Sequence, residues 1–260
     1  MSELDPVWLA LLLAAAFAGF VDAVAGGGGL IQVPALFVGL PEASPATVFG
    51  TNKTASIFGT LNAASRYVRA VRVPWKLVLP AALAAFAFSF AGAAVVAWLP
   101  KQVVRPMVLT LLIGVATYTW LKKDFGISEH SHRAVTRNQL LVAVMLGVVL
   151  GFYDGFFGPG AGSFMIFGFV RLFGMDFLHA SASAKILNAA TNAGALALFL
   201  PDGHVIWALG LGMAVCNIAG AQFGARLAIR HGSGFVRNVF LLMTSLLIVK
   251  IGWDTLMAWR

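Results

Sequence analysis

Gly19-Phe20-Val21-Asp22-Ala23-Val24-Ala25-Gly26-Gly27-Gly28-Gly29 and Gly151-Phe152-Tyr153-Asp154-Gly155-Phe156-Phe157-Gly158-Pro159-Gly160-Ala161-Gly162 are two versions of one pattern: an apolar run, an aspartate and a glycine-rich break. The register between them is 132 residues, from Gly19 to Gly151, and it extends outward without a gap. Gly26 falls on Gly158, Gly28 on Gly160, Lys53 on Lys185, Gly92 on Gly224 and Arg105 on Arg237. So many special residues in one register mark a duplicated unit. Repeat 1 covers about 7–122 and repeat 2 about 139–258, within a single domain over 1–260.

The solvent for this duplicated unit is lipid. Of 260 residues, 60% are hydrophobic and 11% charged, with a mean hydropathy of +0.87. Soluble domains carry about a quarter charged residues. Apolar runs occupy 7–25, 30–40, 45–65, 75–99, 106–121, 139–157, 163–173, 178–200, 205–229 and 235–258. Eight approach the length of a bilayer-spanning helix. The two short ones, 30–40 and 163–173, each follow a glycine break, as a discontinuous or re-entrant helix does. The predicted fold is therefore an all-α integral membrane protein of two repeats. Each repeat has about four full transmembrane helices plus one short segment after a glycine-rich loop.

The acidic start, Met1-Ser2-Glu3-Leu4-Asp5, is unlike a secretory n-region, so the first run is expected to stay as a membrane helix. Ser44-Pro45 reads as an N-cap followed by proline at the first helical position. Cys216 is the one cysteine, which rules out a disulfide framework. The polar connector 122–138 holds His130-Ser131-His132, but no third ligand has zinc spacing nearby, and a solvated loop is the better reading. No metal and no cofactor are expected.

The net charge of +8 resembles that of a nucleic-acid binder, but Lys and Arg sit at the ends of apolar runs, as in cytoplasmic loops. Arg66, Arg69, Arg72 and Lys76 mark one such loop, and Lys122, Lys123, Arg133 and Arg137 another. The counterpart of the first loop, Pro201-Asp202-Gly203-His204, has no Lys or Arg. Arg226, Arg230 and Arg237 instead surround the counterpart of the 101–105 loop. The bias changes sides between repeats, which predicts inverted topology with both termini outside. An odd number of crossings per repeat follows, with each short segment completing a crossing begun by its broken partner.

Lys53 and Lys185 lie inside apolar runs, where a charge costs at least roughly 2.5–3.5 kcal/mol. Each starts a polar stripe at helical spacing: Ser56 and Thr60 in repeat 1, Asn188 and Asn192 in repeat 2, with Asn52 adjoining Lys53. Small polar residues also act as helix–helix glue, and Gly59 with Ala63, and Ala190 with Gly194, suit that role. A lysine is a costly glue, which favours function for the two lysines. A short helix restarting at Gly28-Gly29 or at Gly160 to Gly162 presents N–H groups and a positive dipole end. Two such ends beside two lysines form a site for a small oxyanion. Asp22 and Asp154 either pair with the lysines or carry a coupling proton. Neither break fits a nucleotide-binding glycine motif. An intramembrane serine hydrolase would need Ser163 and His179 together at depth, and neither is repeated.

With these residues in view, the chain resembles the TauE/SafE sulfite-exporter family along nearly its whole length. The resemblance rests on 19–34, on Gly50-Thr51-Asn52-Lys53, and most specifically on 151–160 followed by Ala184-Lys185-Ile186-Leu187-Asn188. It implies a multi-pass carrier of the bacterial inner membrane, one that moves sulfite, a sulfonate or another small sulfur or organic anion. The expected partners are that anion and the lipid bilayer, with a coupling proton if Asp22 or Asp154 carries one; there is room for a homo-oligomer. An anion channel is the alternative. Repeat 1 departs from repeat 2 at Ser56 and Thr60, and asymmetry of the site is expected there.

Overall fold

The computed structural model describes residues 6–98 and 136–258, and every element among them is helical. Chain order runs α1 (Pro6–Ala25), α2 (Gly29–Gly39), α3 (Pro45–Ala70), α4 (Trp75–Ala97), α5 (Arg137–Phe156), α6 (Ala161–Phe173), α7 (Phe177–Phe199) and α8 (Trp207–Ala258). Helix α8 is broken at Gly232, whose φ is 73° and ψ −168°. The predicted run 106–121, Arg105, the connector histidines and Lys122, Lys123 and Arg133 lie outside the described residues.

Among the described residues, four helical segments are long and apolar enough to cross a membrane: Pro6–Ala25, Trp75–Ala97, Arg137–Phe156 and Trp207–Val236. Helices α3 and α7 are as long, at 26 and 23 residues, but the polar stripe dilutes them. Burial explains why they tolerate it. Their polar faces are turned into the bundle, and nearly every stripe residue is buried. Exposed apolar side chains such as Leu13, Leu83, Val149 and Val215 lie on α1, α4, α5 and α8, and α3 adds Phe58 and Leu61 on one flank. Local chemistry sets the ends. Ser44 caps α3 by accepting from the Thr47 N–H at 3.1 Å, with Pro45 in the first turn. Thr136 and Gln139 form a reciprocal capping box on α5.

Side-chain spacing fixes the helix directions. Ala81, Ala85 and Ser89 of α4 face Gly147, Gly151 and Gly155 of α5, so this pair is parallel. Ala16 and Phe20 of α1 face Gly220 and Gly224 of α8, again parallel. Thr51 and Thr54 of α3 meet Ile206 and Gly210 at the start of α8. Gly59 meets Asn217 farther along, so α3 also runs parallel to α8. Helices α3 and α7 are antiparallel: Gly50 packs on Phe199, and Thr60 approaches Asn188.

Of the two readings of the short runs, the structure takes the re-entrant one, and the expectation that each completes a crossing begun by its partner is not met. Gly39, at the end of α2, lies against Leu11 and Val7 near the start of α1. Gly168 of α6 lies against Leu146 of α5, and the Phe164 ring packs edge-on to Tyr153. Each short helix thus folds back along its partner instead of completing its crossing. Length accounts for this. Eleven residues of α2 span only about 16 Å, half of a ~30 Å hydrocarbon core. The two hairpins meet tip to tip. The Ser163 N–H donates to the Gly26 carbonyl at 3.1 Å, and the Ser163 hydroxyl to the Ala25 carbonyl at 2.8 Å.

Candidate functional site

Where the hairpin tips meet, α3 and α7 cross them with their lysines. The Lys53 Nζ lies 2.8 Å from the Asp154 carboxylate, and the Lys185 Nζ 2.8 Å from that of Asp22. Each pair joins a stripe helix of one repeat to the break of the other. At a register of 132 residues the two pairs are the same contact made twice. The lysine side chains are 3% and 1% exposed, so each ammonium depends on its carboxylate for a countercharge.

These pairs border a cavity of about 20 Å³, lined by Asp22, Asn52, Lys53, Ser56, Asp154, Asn188, Asn192 and Asn217 with the break glycines Gly26, Gly28, Gly29, Gly158 and Gly162. That volume holds about one water molecule. Ten of the thirteen residues singled out in the sequence line it. The other three lie nearby: Lys185 reaches it through Asp22, and Thr60 bridges Asp22 at 3.4 Å and Asn188 at 3.5 Å. Gly160 instead caps α6 in a left-handed conformation, φ 83°. The short-helix donors are less free than the sequence suggested, because the Ser163 N–H in the first turn of α6 is taken by Gly26.

Three polar residues were missed. Asn217 of α8 donates to Gln32 Oε1 at 3.0 Å and to the Ala15 carbonyl at 3.2 Å, and Gln32 of α2 donates to the Asn52 carbonyl at 3.3 Å. Thr191 of α7 hydrogen-bonds Asp154 through its hydroxyl. None of the three has a polar counterpart 132 residues away: Asn217 answers to Ala85, Gln32 to Phe164 and Thr191 to Gly59. A search guided by duplication passes over such residues. A lone Asn or Gln inside an apolar run was the available signal.

Asymmetry arises partly at these missed positions. A Cβ on Gly59 would lie 1.9 Å from Asn217 Oδ1, so glycine there makes room for the asparagine. In repeat 2 the same place carries Thr191, which grips Asp154, and Ala85 replaces the asparagine. Asp154 consequently has a lysine and a close hydroxyl and is 3% exposed, whereas Asp22 has a lysine and the distant Thr60 hydroxyl and is 16% exposed. The Asn52 Oδ1 atom is buried without a partner at the cavity wall. Three more polar residues of α3 and α7 point away from the cavity. Thr51 accepts from the Ile206 N–H, Ser183 donates to the His179 carbonyl, and His179 bonds Asp176.

Among the described residues, no group of three or more His, Cys, Asp or Glu is placed to hold a metal ion. No solved structure matches the chain. The family profile described as Sulfite exporter TauE/SafE matches residues 11–251. Among curated proteins, the chain is 39% identical over 254 residues to "Probable membrane transporter protein ORF9" of Sinorhizobium sp., covering 96% of this chain and 95% of that one. It is 36% identical over 245 residues to "Probable membrane transporter protein YfcA" of Escherichia coli, covering 94% and 89%. It is 33% identical over 248 residues to a "Probable membrane transporter protein" of Haemophilus influenzae, covering 95% of each. With the profile spanning nearly the whole length, the chain belongs to the sulfite exporter TauE/SafE family.

Proposed function

We propose that this protein is a secondary carrier of small anions, sulfite, a sulfonate or a related oxyanion, in the bacterial inner membrane. Two inverted units would work by alternating access around the cavity at the hairpin tips. The observation that carries this reading is the reciprocal pair of buried ion pairs, Lys53–Asp154 and Lys185–Asp22, at the wall of a cavity of about 20 Å³. Inversion is supported by the antiparallel course of α3 and its counterpart α7. The family and its relatives' names support transport, and the paired lysines support an anion.

The chemistry follows from countercharge. An anion entering the cavity competes with Asp22 and Asp154 for the two ammonium groups. Protonating a carboxylate releases its lysine to the anion, so one anion and one proton load together without net charge. Asn52, Ser56, Thr60, Asn188 and Asn192 supply hydrogen bonds, and backbone N–H groups near Gly28, Gly29, Gly160 and Gly162 supply further donors. A 20 Å³ cavity admits no oxyanion until the hairpins or the helices around them move. Closure of this kind favours a carrier over a channel.

Purified protein in proteoliposomes tests the reading, with radiolabelled sulfite, sulfate, thiosulfate, sulfonates and carboxylates offered in counterflow. Saturable exchange of at least one of these, lost in Lys53→Ala and Lys185→Ala, is expected. Unsaturated flux without exchange would make it a channel. Full exchange in both variants would place the site elsewhere.

A further inference from the structure

The end of the bundle opposite Gly50 and His204 carries a second concentration of charge. A groove of about 600 Å³ opens between the last turns of α3 and the middle of α8, lined by Asn62, Ser65, Arg66, Arg69, Ala70, Arg226, Ile229 and Arg230. Four guanidinium groups from both repeats converge there, and no described lining residue is a carboxylate. Two of the four are held in place. The amide of Gln222, oriented with its oxygen toward them, accepts from Arg66 at 2.6 Å and from Arg226 at 3.3 Å. Arg66 Nε also donates to Asn62 Oδ1 at 3.4 Å.

We infer that this groove binds the phosphate headgroup of an anionic membrane lipid. The volume is many times that of an inorganic oxyanion, and Ala70 and Ile229 add apolar lining beside the arginines. The faces leading into it are apolar too. Leu61, 50% exposed, lies one turn before Ser65 and two before Arg69 on the same face of α3. Phe223, 59% exposed, precedes Arg226 and Arg230 on one face of α8. A phospholipid satisfies both parts at once, its acyl chains on Leu61 and Phe223 and its phosphate among the arginines. A soluble anion would use the arginines alone. Basic pockets between transmembrane helices at the cytoplasmic level hold anionic headgroups in this way. Arginine suits the role because its fork matches phosphate oxygens and cannot lose its charge.

This proposal does not rest on the anion-carrier reading, and its test measures no transport. Native mass spectrometry of the purified protein would follow retained lipid after titration with phosphatidylglycerol, cardiolipin or phosphatidylcholine. Preferential retention of the anionic lipids is expected, with a rise in melting temperature on adding them. The triple variant Arg69→Gln, Arg226→Gln, Arg230→Gln should weaken retention at least about tenfold. Lys76→Gln, which removes a basic residue of the same region outside the groove, should leave it unchanged. The corresponding lysine triple variant, which keeps the charge, should retain most binding and guards against a folding defect. Equal retention of phosphatidylcholine, or unchanged retention in the glutamine variant, would overturn the proposal. So would competition by soluble glycerol 3-phosphate at the concentration of the lipid, which would make the groove a site for free anions.

Discussion

At the scale of single residues, two ion pairs that are equivalent by register are unequal in surroundings. Asp154 is clamped by Lys53 and Thr191, while Asp22 is held by Lys185 with a loose Thr60 contact and is the more exposed carboxylate. The charged groups around Asp22 are Lys185 from α7 and, across the cavity, Lys53 and Asp154, with Tyr67 of α3 bonded to the neighbouring Ala23 carbonyl. Asp22 is therefore the expected proton carrier. Asp22→Asn should leave anion-for-anion exchange intact and remove accumulation driven by a pH gradient. Asp154→Asn should chiefly destabilise the fold, since breaking a buried pair by removing one partner costs roughly 3–5 kcal/mol. The double variant Gly59→Thr, Asn217→Ala rebuilds the repeat 2 arrangement in repeat 1. It should fold, and it should lose gradient-driven transport if the freedom of Asp22 matters. Gradient-driven uptake that survives in both Asp22→Asn and the double variant would remove Asp22 from the mechanism. The duplicated residues Lys53, Lys185, Asp22 and Asp154 were legible in the sequence because the same residue type recurs at one register. Thr191, Asn217 and Gln32 were not, because their roles come from how one repeat fills space the other leaves open.

At the scale of elements, the glycine breaks were legible as breaks, but the choice between a discontinuous and a re-entrant helix was not. Glycine permits the turn, whereas the direction of the returning helix is set by packing of Gly39 on Leu11 and of Gly168 on Leu146, which is tertiary information. Gly26 shows what the break requires. Its φ is 77°, and a Cβ would lie 2.3 Å from the Gly162 backbone. Gly203 has a similar φ of 73° with open space around it. Gly203→Ala should cost only the backbone strain, about 1–2 kcal/mol. Gly26→Ala should add a backbone clash between the hairpin tips and cost distinctly more, read as melting temperature in detergent. A matching loss in the two variants would mean that the tips are not in contact.

The start of α7 offers a second element-scale test. Asp176 accepts from the Leu178 and His179 N–H groups and from Ser233, just beyond the break in α8, and its side chain bonds His179. Burial pushes the Asp176 carboxyl up, but the hydrogen bonds from Ser233 and His179 and the charge of His179 outweigh this and hold it below the usual carboxylate range. A depressed carboxylate contributes stability that is full above its unfolded value, ~3.9, and fades as pH falls through its lower folded value. Asp176→Ala should therefore cost about 1–2 kcal/mol at neutral pH and much less in strong acid. A pH-independent difference in melting temperature would show that the carboxylate's charge is not what links α7 to α8.

At the scale of the whole molecule, charge and helix direction bear on the same question by separate routes. The sequence placed Arg66 and Arg69 on one side by their number, and put Arg226 and Arg230 on that same side only if the second repeat is inverted. The structure brings all four to one groove. His204, in the arginine-free counterpart loop, packs its carbonyl against Gly50 near the start of α3. Gly50 and Arg69 are separated by roughly 29 Å along that helix, about the thickness of the hydrocarbon core. Single cysteines at His204 and Arg69, in a Cys216→Ser background, should thus label from opposite sides of the membrane. A cysteine at Arg230 should label from the same side as Arg69. Parallel repeats would instead place His204 and Arg69 together, because corresponding loops would then face the same compartment. Labelling of His204 and Arg69 from one side would sink the inverted arrangement, and with it the exchange of two units around one cavity. Labelling of Arg230 and Arg69 from different sides would sink the lipid groove and leave the carrier site untouched.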